Sequence, residues 1–310
     1  MLVTKAKPQD SQLDMNSNRI AVLIPVHNAE RYIGRAISSL NDNTEGHDVI
    51  IVDDGSRVPV GEFLSSQANL HVIRLETNQG IARALNVGLS HISSTDYEYV
   101  ARLDADDRAM PNRLAVQSAY LDLHKDVLLV GSWARVALED GTPVSYNNMP
   151  TGPANIRECL YYNNCLFHPS WMFRASVIRS GLRYDESRRH AEDYEFLRAI
   201  SHLGAIENIP EYLIDYSISA GGVSQSHAFE QRLGCLSVQL AHANLRNINF
   251  YLGIAKTLAI GLPESWFKST FLRHTAVRKD LSDATRPNAE GRIPVYEWRP
   301  LRGLILTKTP

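Results

Sequence analysis

The sequence predicts an α/β protein whose doubly wound, mainly parallel sheet is followed by a helical C-terminal extension. Three observations carry this expectation. Short β-branched runs alternate with stretches of helical period from residue 20 to about 136, the pattern of successive βαβ units. After Gly141 the rhythm breaks into a Gly/Pro/Asn-rich stretch. From 225 onward the pattern is helical and basic, with 12 Lys and Arg against 6 Asp and Glu, whereas the whole chain carries 32 against 34. An acidic body is thus joined to a basic segment.

The elements follow in order. "IAVLIPV" (20–26) reads as a buried strand. "AERYIGRAISSL" (29–40) sets Ile33, Ile37 and Leu40 on one helical face. "DVIIVDD" (48–54) and "HVIRL" (71–75) are the second and third strands. "QGIARALNVGLSHI" (79–92) is a helix with Ala82, Leu85 and Leu89 at helical spacing, and "YEYVARLD" (97–104) is a fourth strand. "PNRLAVQSAYLDLH" (111–124) opens with a proline suited to a helix start, and "VLLVGSWARV" (127–136) is a fifth strand. "DGTPVSYNNMPTGPA" is expected to be a loop, "NIRECLYY" helical, and a helix starts near Glu192. "EYLIDYSI" reads as the last strand, and the Pro- and Arg-rich end (286–310) as irregular. The expected organisation is a disordered leader (1–18), a folded body (19–224) and a basic helical extension (225–310).

Bulk properties narrow the function. At 310 residues, with 44% hydrophobic and 21% charged residues, the chain can bury a substantial core and is not composed like a disordered one. Its three cysteines, Cys159, Cys165 and Cys235, form no CxxC pair, which fits a reducing compartment. "MLVTKAKPQDSQLDMNSN" lacks the apolar stretch of a signal peptide. The apolar run "FYLGIAKTLAIGL" is broken by Lys256 and followed by Pro263, too short for a membrane span. A cytoplasmic protein is expected, with peripheral contact to the inner membrane face through 225–310 and no nucleic-acid partner.

In a parallel α/β sheet, ligands bind beyond the carboxyl ends of the strands. Three polar clusters fall there: "PVHN" (25–28), "VDDGS" (52–56) and "LDADD" (103–107). The last sets Asp104, Asp106 and Asp107 within four residues. Like charges so close resist desolvation, so a cation or water must attend them. One carboxylate could cap the next helix. Three point instead to a hard divalent ion, Mn²⁺ or Mg²⁺, that keeps waters and phosphate oxygens as its other ligands. On residue chemistry alone Asp54 is as well read as a turn-forming residue as a ligand reader. Asp193, in "HAEDYEF", would be a first-turn acid favouring its helix dipole.

Six stretches together carry a family resemblance: "VLIPVHNAERYIGRAISSL", "IIVDDGS", "NQGIARALNVGL", "YVARLDADDRAMPNRL", "FHPSWMFRASVI" and "GLRYDESRRHAEDYEFLRAI". In that order and spacing the chain resembles family 2 glycosyltransferases of the GT-A fold, above all bacterial enzymes of lipo-oligosaccharide and O-antigen synthesis such as β-1,3-N-acetylglucosaminyl- and galactosyltransferases. The likeness fades after Ser224, and it implies that 19–224 is the catalytic domain, with a nucleotide half over about 19–107 and an acceptor half over about 108–224. It implies that Asp104-Ala105-Asp106 is the DxD motif, with the metal held chiefly by Asp106. It further implies that Pro25, Val26, Asp54 and Arg83 bind the nucleotide, with Asp54 reading uracil, and that Asp193 is the catalytic base. His168 and Glu192 would lie near the acceptor. The implied reaction transfers a sugar (GlcNAc first, then Gal, GalNAc or Glc) with inversion from a UDP-sugar to a glycan or lipid-linked oligosaccharide. Relatives carry an Arg and a His in a "YRxH" stretch, where this chain has Ser217 and Ser219, so any diphosphate or metal contact made there lacks its side chains. A DxD phosphohydrolase would carry its motif after strand one, which here ends in "PVHN". A nicotinamide-binding enzyme would show GxGxxG at that place. A non-catalytic carbohydrate-binding relative is the remaining alternative.

Overall fold

The computed structural model describes residues 19–64, 68–218, 228–259, 293 and 295–297. The expected leader (1–18), Ser219 and most of the expected irregular end lie outside the described residues. Four strands build the first half of the sheet: β1 (Ile20–Val26), β2 (His47–Asp54), β3 (Leu70–Leu75) and β4 (Tyr99–Arg102), side by side in the order β3-β2-β1-β4 and all parallel. The crossovers are α1 (Ile33–Ser38), the short α2 (Val60–Phe63) and α3 (Ile81–Ser93). The chain moves outward from β1 to β3 and then returns to β1's other side, so a topological switch point lies between β1 and β4.

Every residue of β1 is buried because helices cover both sheet faces. Ile20, Val22, Ile24 and Val26 pack with Ile33, Ile37 and Leu40 of the α1 region and with Leu114 and Leu121 of α4 (Arg113–Leu123). Ala21 and Leu23 point the other way, to Ala84, Leu85 and Leu89 of α3. Period two in the strand and period 3.6 in the helices thus make two apolar layers.

Beyond β4 the sheet becomes mixed. After the short β5 (Arg108–Ala109), the long β6 (Val127–Leu138) runs in the same sense as β4, but β8 (Met172–Arg174) lies between them, antiparallel to both. The stretch expected to be a loop instead forms β7 (Pro143–Asn148), a hairpin partner of β6 in which Tyr146 faces Arg135. Its composition is that of a turn, but the antiparallel ladder with β6 supplies what its propensity lacks. The last strand also starts earlier than expected: β9 spans Ala205–Ile218 and runs parallel along β6. Part of the end expected to be irregular, Val295–Glu297 (β10), pairs with the open edge of β7.

The remaining helices are α5 (Pro153–Cys159), α6 (Ala175–Arg179), α7 (Glu192–Leu203), α8 (Ala228–Ala241) and α9 (Ile248–Ala259). The last two dock on the body through buried polar contacts. Gln239 donates to the Tyr162 carbonyl at 3.0 Å, Tyr162 donates to Asn249 at 2.7 Å, and Thr257 donates to Gln239 at 3.1 Å.

Candidate active site

Two polar loops are tied together at the carboxyl ends of β1 and β2. Asn28, at φ 51°, donates its backbone N–H to the Ser56 hydroxyl and accepts the Arg57 N–H on its side-chain oxygen, both at 2.9 Å. His27 Nδ1 donates to the Asp54 carbonyl at 2.8 Å. Gly55 turns the chain at φ +66°, where an added Cβ would lie 2.5 Å from the Thr77 backbone. The paired aspartates differ in role. Asp53 accepts the N–H groups of Ser56 and Val60 and the Arg74 guanidinium at 2.5 Å. Burial pushes its carboxyl up, but these bonds outweigh that and hold it below the ordinary range. Asp54 accepts the Gln79 and Gly80 N–H groups at 2.8 and 2.9 Å, anchoring the start of α3 to β2. Each of its oxygens retains a second lone pair. Pro25 and Val26 are buried in β1 beside this loop. Arg83, on α3, is half-exposed and 3.5 Å from Glu186.

The acidic loop leaves the sheet right after β4. Neither Asp106 nor Asp107 caps α4: Asn112 stands at that helix's start and makes no side-chain cap bond. Asp104 is paired with Arg102 at 2.5 Å. Asp106 is open to solvent but closely ringed by protein. That crowding, then the charge of Asp104, raises its carboxyl to about 6, against a pull downward from Arg102. Asp107 is buried and accepts the Ser217 N–H at 2.7 Å, while its other oxygen has no hydrogen-bond partner among the described residues. Burial, then Asp106 and Asp104, raise it well above the carboxylate range. Ser217, one of the two residues that stand where relatives carry an Arg and a His, therefore does reach the acidic loop, through its backbone N–H.

The third element is the first turn of α7. Asp193 accepts the Asn164 amide at 2.6 Å and the Tyr194 N–H at 2.7 Å. Burial, then the Asp193 charge, raises neighbouring Glu192 to about 7, again opposed by Arg102. The wall between the two acidic groups is Tyr184, whose hydroxyl lies 2.8 Å from His168 Nε2 and within electrostatic range of Arg102, Asp193, Glu192 and Asp104. Burial, then Arg102, holds His168 well below its ordinary pKa, so the ring is neutral and accepts the Tyr184 proton. Its hydrogen bonds run inward, to Tyr184 and Arg102.

The structure thus brings Asp104, Asp106, Glu192 and Asp193 within electrostatic range of Arg102 or Tyr184, with the Asp54 loop at the carboxyl end of β2 in the same sheet. Reading the sequence passes over Arg102, Asn164 and Tyr184. For Arg102 a signal exists: a charge inside the apolar run "YVAR", two residues before Asp104 and so on the same side of an extended chain. Among the described residues no group of three or more His, Cys, Asp or Glu side chains is arranged to hold a metal alone. Asp106 and the second oxygen of Asp104 are the carboxylate oxygens offered. That donor set suits Mg²⁺ or Mn²⁺, which takes few protein ligands and completes its shell with water and phosphate oxygens.

A parallel sheet with its polar loops at a switch point, extended by a mixed half that carries a second acidic turn, is the architecture of GT-A glycosyltransferases. Residues 21–182 match the model of glycosyl transferase family 2, and the chain belongs to that family of sugar-transferring enzymes. An uncharacterized glycosyltransferase of Haemophilus influenzae is 28% identical over 251 residues, 76% of this chain and 75% of that protein. The O-antigen biosynthesis glycosyltransferase WbnJ of Escherichia coli is 29% identical over 64% of this chain and 79% of its own length. Among solved structures, S. aureus TarS in complex with UDP superposes with a TM-score of 0.58 at 20% identity, covering 81% of this chain and 75% of that one. The mannosyltransferase PcManGT of Pyrobaculum calidifontis, in complex with GDP-Man and Mn²⁺, gives 0.57 at 17% identity, covering 84% and 75%.

Proposed function

We propose that the protein is an inverting glycosyltransferase of bacterial surface polysaccharide or lipo-oligosaccharide synthesis, taking its sugar from a UDP donor. The observation that carries this reading is the meeting of two acidic groups of different environment across Arg102 and Tyr184. The Asp104–Asp106 loop sits at the donor strand ends, and the Glu192–Asp193 turn sits on α7. Inversion takes one displacement, which needs a base for the acceptor hydroxyl on the side away from the leaving diphosphate. Asp193 is that base, oriented by Asn164. Asp106, with Asp104, would hold Mn²⁺ or Mg²⁺, whose charge stabilises the departing diphosphate. Pro25, Val26 and Asp54 flank the base of the nucleotide, and Arg83 its outer side.

TarS has been solved with UDP and with UDP-GlcNAc, which supports a UDP donor and GlcNAc as first candidate. The GDP-Man complex of PcManGT makes GDP-mannose the donor to test against it. The acceptor is a glycan or lipid-linked oligosaccharide. Contact with the inner membrane face, through α8 and the chain beyond it, is supported by the basic balance of that segment and by exposed Phe229, Leu233, Leu240, Leu245 and Leu258. A panel of nucleotide sugars, read by release of the nucleoside diphosphate with Mn²⁺, tests the reading. Turnover with UDP-GlcNAc is expected, and turnover with GDP-mannose alone would overturn the UDP assignment.

A further inference from the structure

We infer that Arg102 is a positioning residue for the acidic loop: an internal counter-cation that fixes Asp104, so that the loop stands ready before donor and metal arrive. This rests on the nucleotide-sugar reading above. Arg102 is fully buried, and a guanidinium in that position must be satisfied by the protein itself. Its NH2 group meets Asp104 Oδ1 at 2.5 Å, its NH1 meets the Leu103 carbonyl at 2.6 Å, and its Nε points to His168 Nε2 at 3.4 Å.

The arrangement is locked from behind. The Tyr184 hydroxyl donates to the same His168 nitrogen, and the Tyr184 N–H is held by Asn86 at 2.9 Å. Arg113, the other fully buried guanidinium at this place, cannot do the same work. It donates to the carbonyls of Arg102 and Trp171 and to Gln117, and among the described residues bonds no carboxylate. The charge of Arg102 also opposes the repulsion that Asp104 exerts on Asp106 and Asp107 and that Asp193 exerts on Glu192. One oxygen of Asp104 is therefore committed inward. Asp106 and the other Asp104 oxygen are left for the crevice, at a spacing the ion pair sets.

The test is calorimetric titration of the full chain with UDP, with and without Mn²⁺, at a temperature where circular dichroism shows each variant folded. In the wild type Mn²⁺ should strengthen UDP binding. Arg102→Gln should lose about 10- to 100-fold of the binding measured with Mn²⁺, the usual cost of removing a group that orients a metal ligand. UDP binding without metal should be unchanged, which a merely structural role would not predict. Arg102→Lys should fall between, since an ammonium keeps the charge but not the planar fork. The double variant Arg102→Gln/Asp104→Asn should be no weaker than the worse single one. Full Mn²⁺ enhancement in Arg102→Gln, or losses that multiply in the double variant, would overturn the proposal and leave the nucleotide-sugar reading standing. If Arg102→Gln does not fold, Arg102→Lys decides: full enhancement in it overturns the proposal, and a partial loss together with loss in Asp104→Asn supports it. A wild type that binds UDP under neither condition would overturn both readings.

Discussion

Asp106 and Asp193 carry the same functional group, and it is their surroundings that suit them to the different tasks proposed above. Asp106→Asn should keep the fold, since its side chain is open to solvent, and lose most Mn²⁺-dependent transfer. Full activity of this variant would remove Asp106 from the donor site. The same substitution makes a stability prediction with a definite sign. The folded carboxyl is raised to about 6 from 3.8, by crowding and then by Asp104. From about pH 4 to pH 6 the folded chain therefore keeps a proton that the unfolded chain has lost, and stability falls as pH rises through that window. Asparagine carries no such loss. In EDTA, Asp106→Asn should melt above the wild type beyond pH 6, and the gap should close as pH falls towards 4. A gap that widens on acidification would contradict the sign. On the acceptor side, Asp193→Asn should bind UDP and Mn²⁺ normally yet lose transfer by about 100-fold or more, the usual scale for a lost general base. Glu192→Gln should be milder. Near-normal turnover in Asp193→Asn, or a loss of UDP binding as deep as that of Asp106→Asn, would refute the base assignment.

At the scale of elements, the site depends on how strands and helices are anchored at their ends. The carboxylate of Asp54 binds the start of α3, that of Asp107 binds the end of β9, and the Asn164 amide steadies the first turn of α7. The docking of α9 is set by backbone proximity. A Cβ at Gly253 would lie 1.8 Å from the Tyr161 carbonyl oxygen, which no side-chain adjustment can relieve. In an isolated helix Gly→Ala is favourable by about 1 kcal/mol. Here Gly253→Ala should instead push α9 off the Tyr161–Tyr162 turn. Hydrogen exchange should then quicken in α9 and leave β1 and β2 unchanged. Unaltered exchange in α9 would mean that the contact yields without undocking.

For the whole molecule, the acidic loop leaves the sheet where its parallel half meets its mixed half, α8 packs against α7, and α9 packs on α8 and the Tyr161–Tyr162 turn. Those two helices leave Phe229, Leu233 and Leu240, then Ile248, Tyr251 and Leu258, exposed. Among the described residues no helix is long and apolar enough to cross a membrane. An apolar face followed in the chain by a basic stretch is suited to lie on an anionic lipid surface, where each basic residue near the surface contributes about 1 kcal/mol. The full chain should float with vesicles containing anionic lipid and less with neutral ones, more weakly at high salt. Leu233→Asp/Leu258→Asp should abolish flotation while UDP binding persists. Failure to float at low salt, or a face closed by dimerisation in light scattering, would end the membrane reading.

The sequence by itself determined the parallel half of the sheet, the placing of polar clusters at strand ends and the acidic loop. Period two, period 3.6 and turn chemistry are local properties, each legible within a dozen residues, and the ordered motifs carried the family. Only the tertiary structure decided the mixed half. β7 looks like a loop until β6 pairs with it, and β8 enters between β4 and β6 from about 70 positions further along the chain than β4, a contact no local pattern encodes. The answer to the crowded carboxylates was also decided there. Arg102 reads as one charge in a strand, and only burial against Asp104, His168 and Tyr184 makes it the cation that the loop requires, because a charge taken out of water must find its partners within the fold.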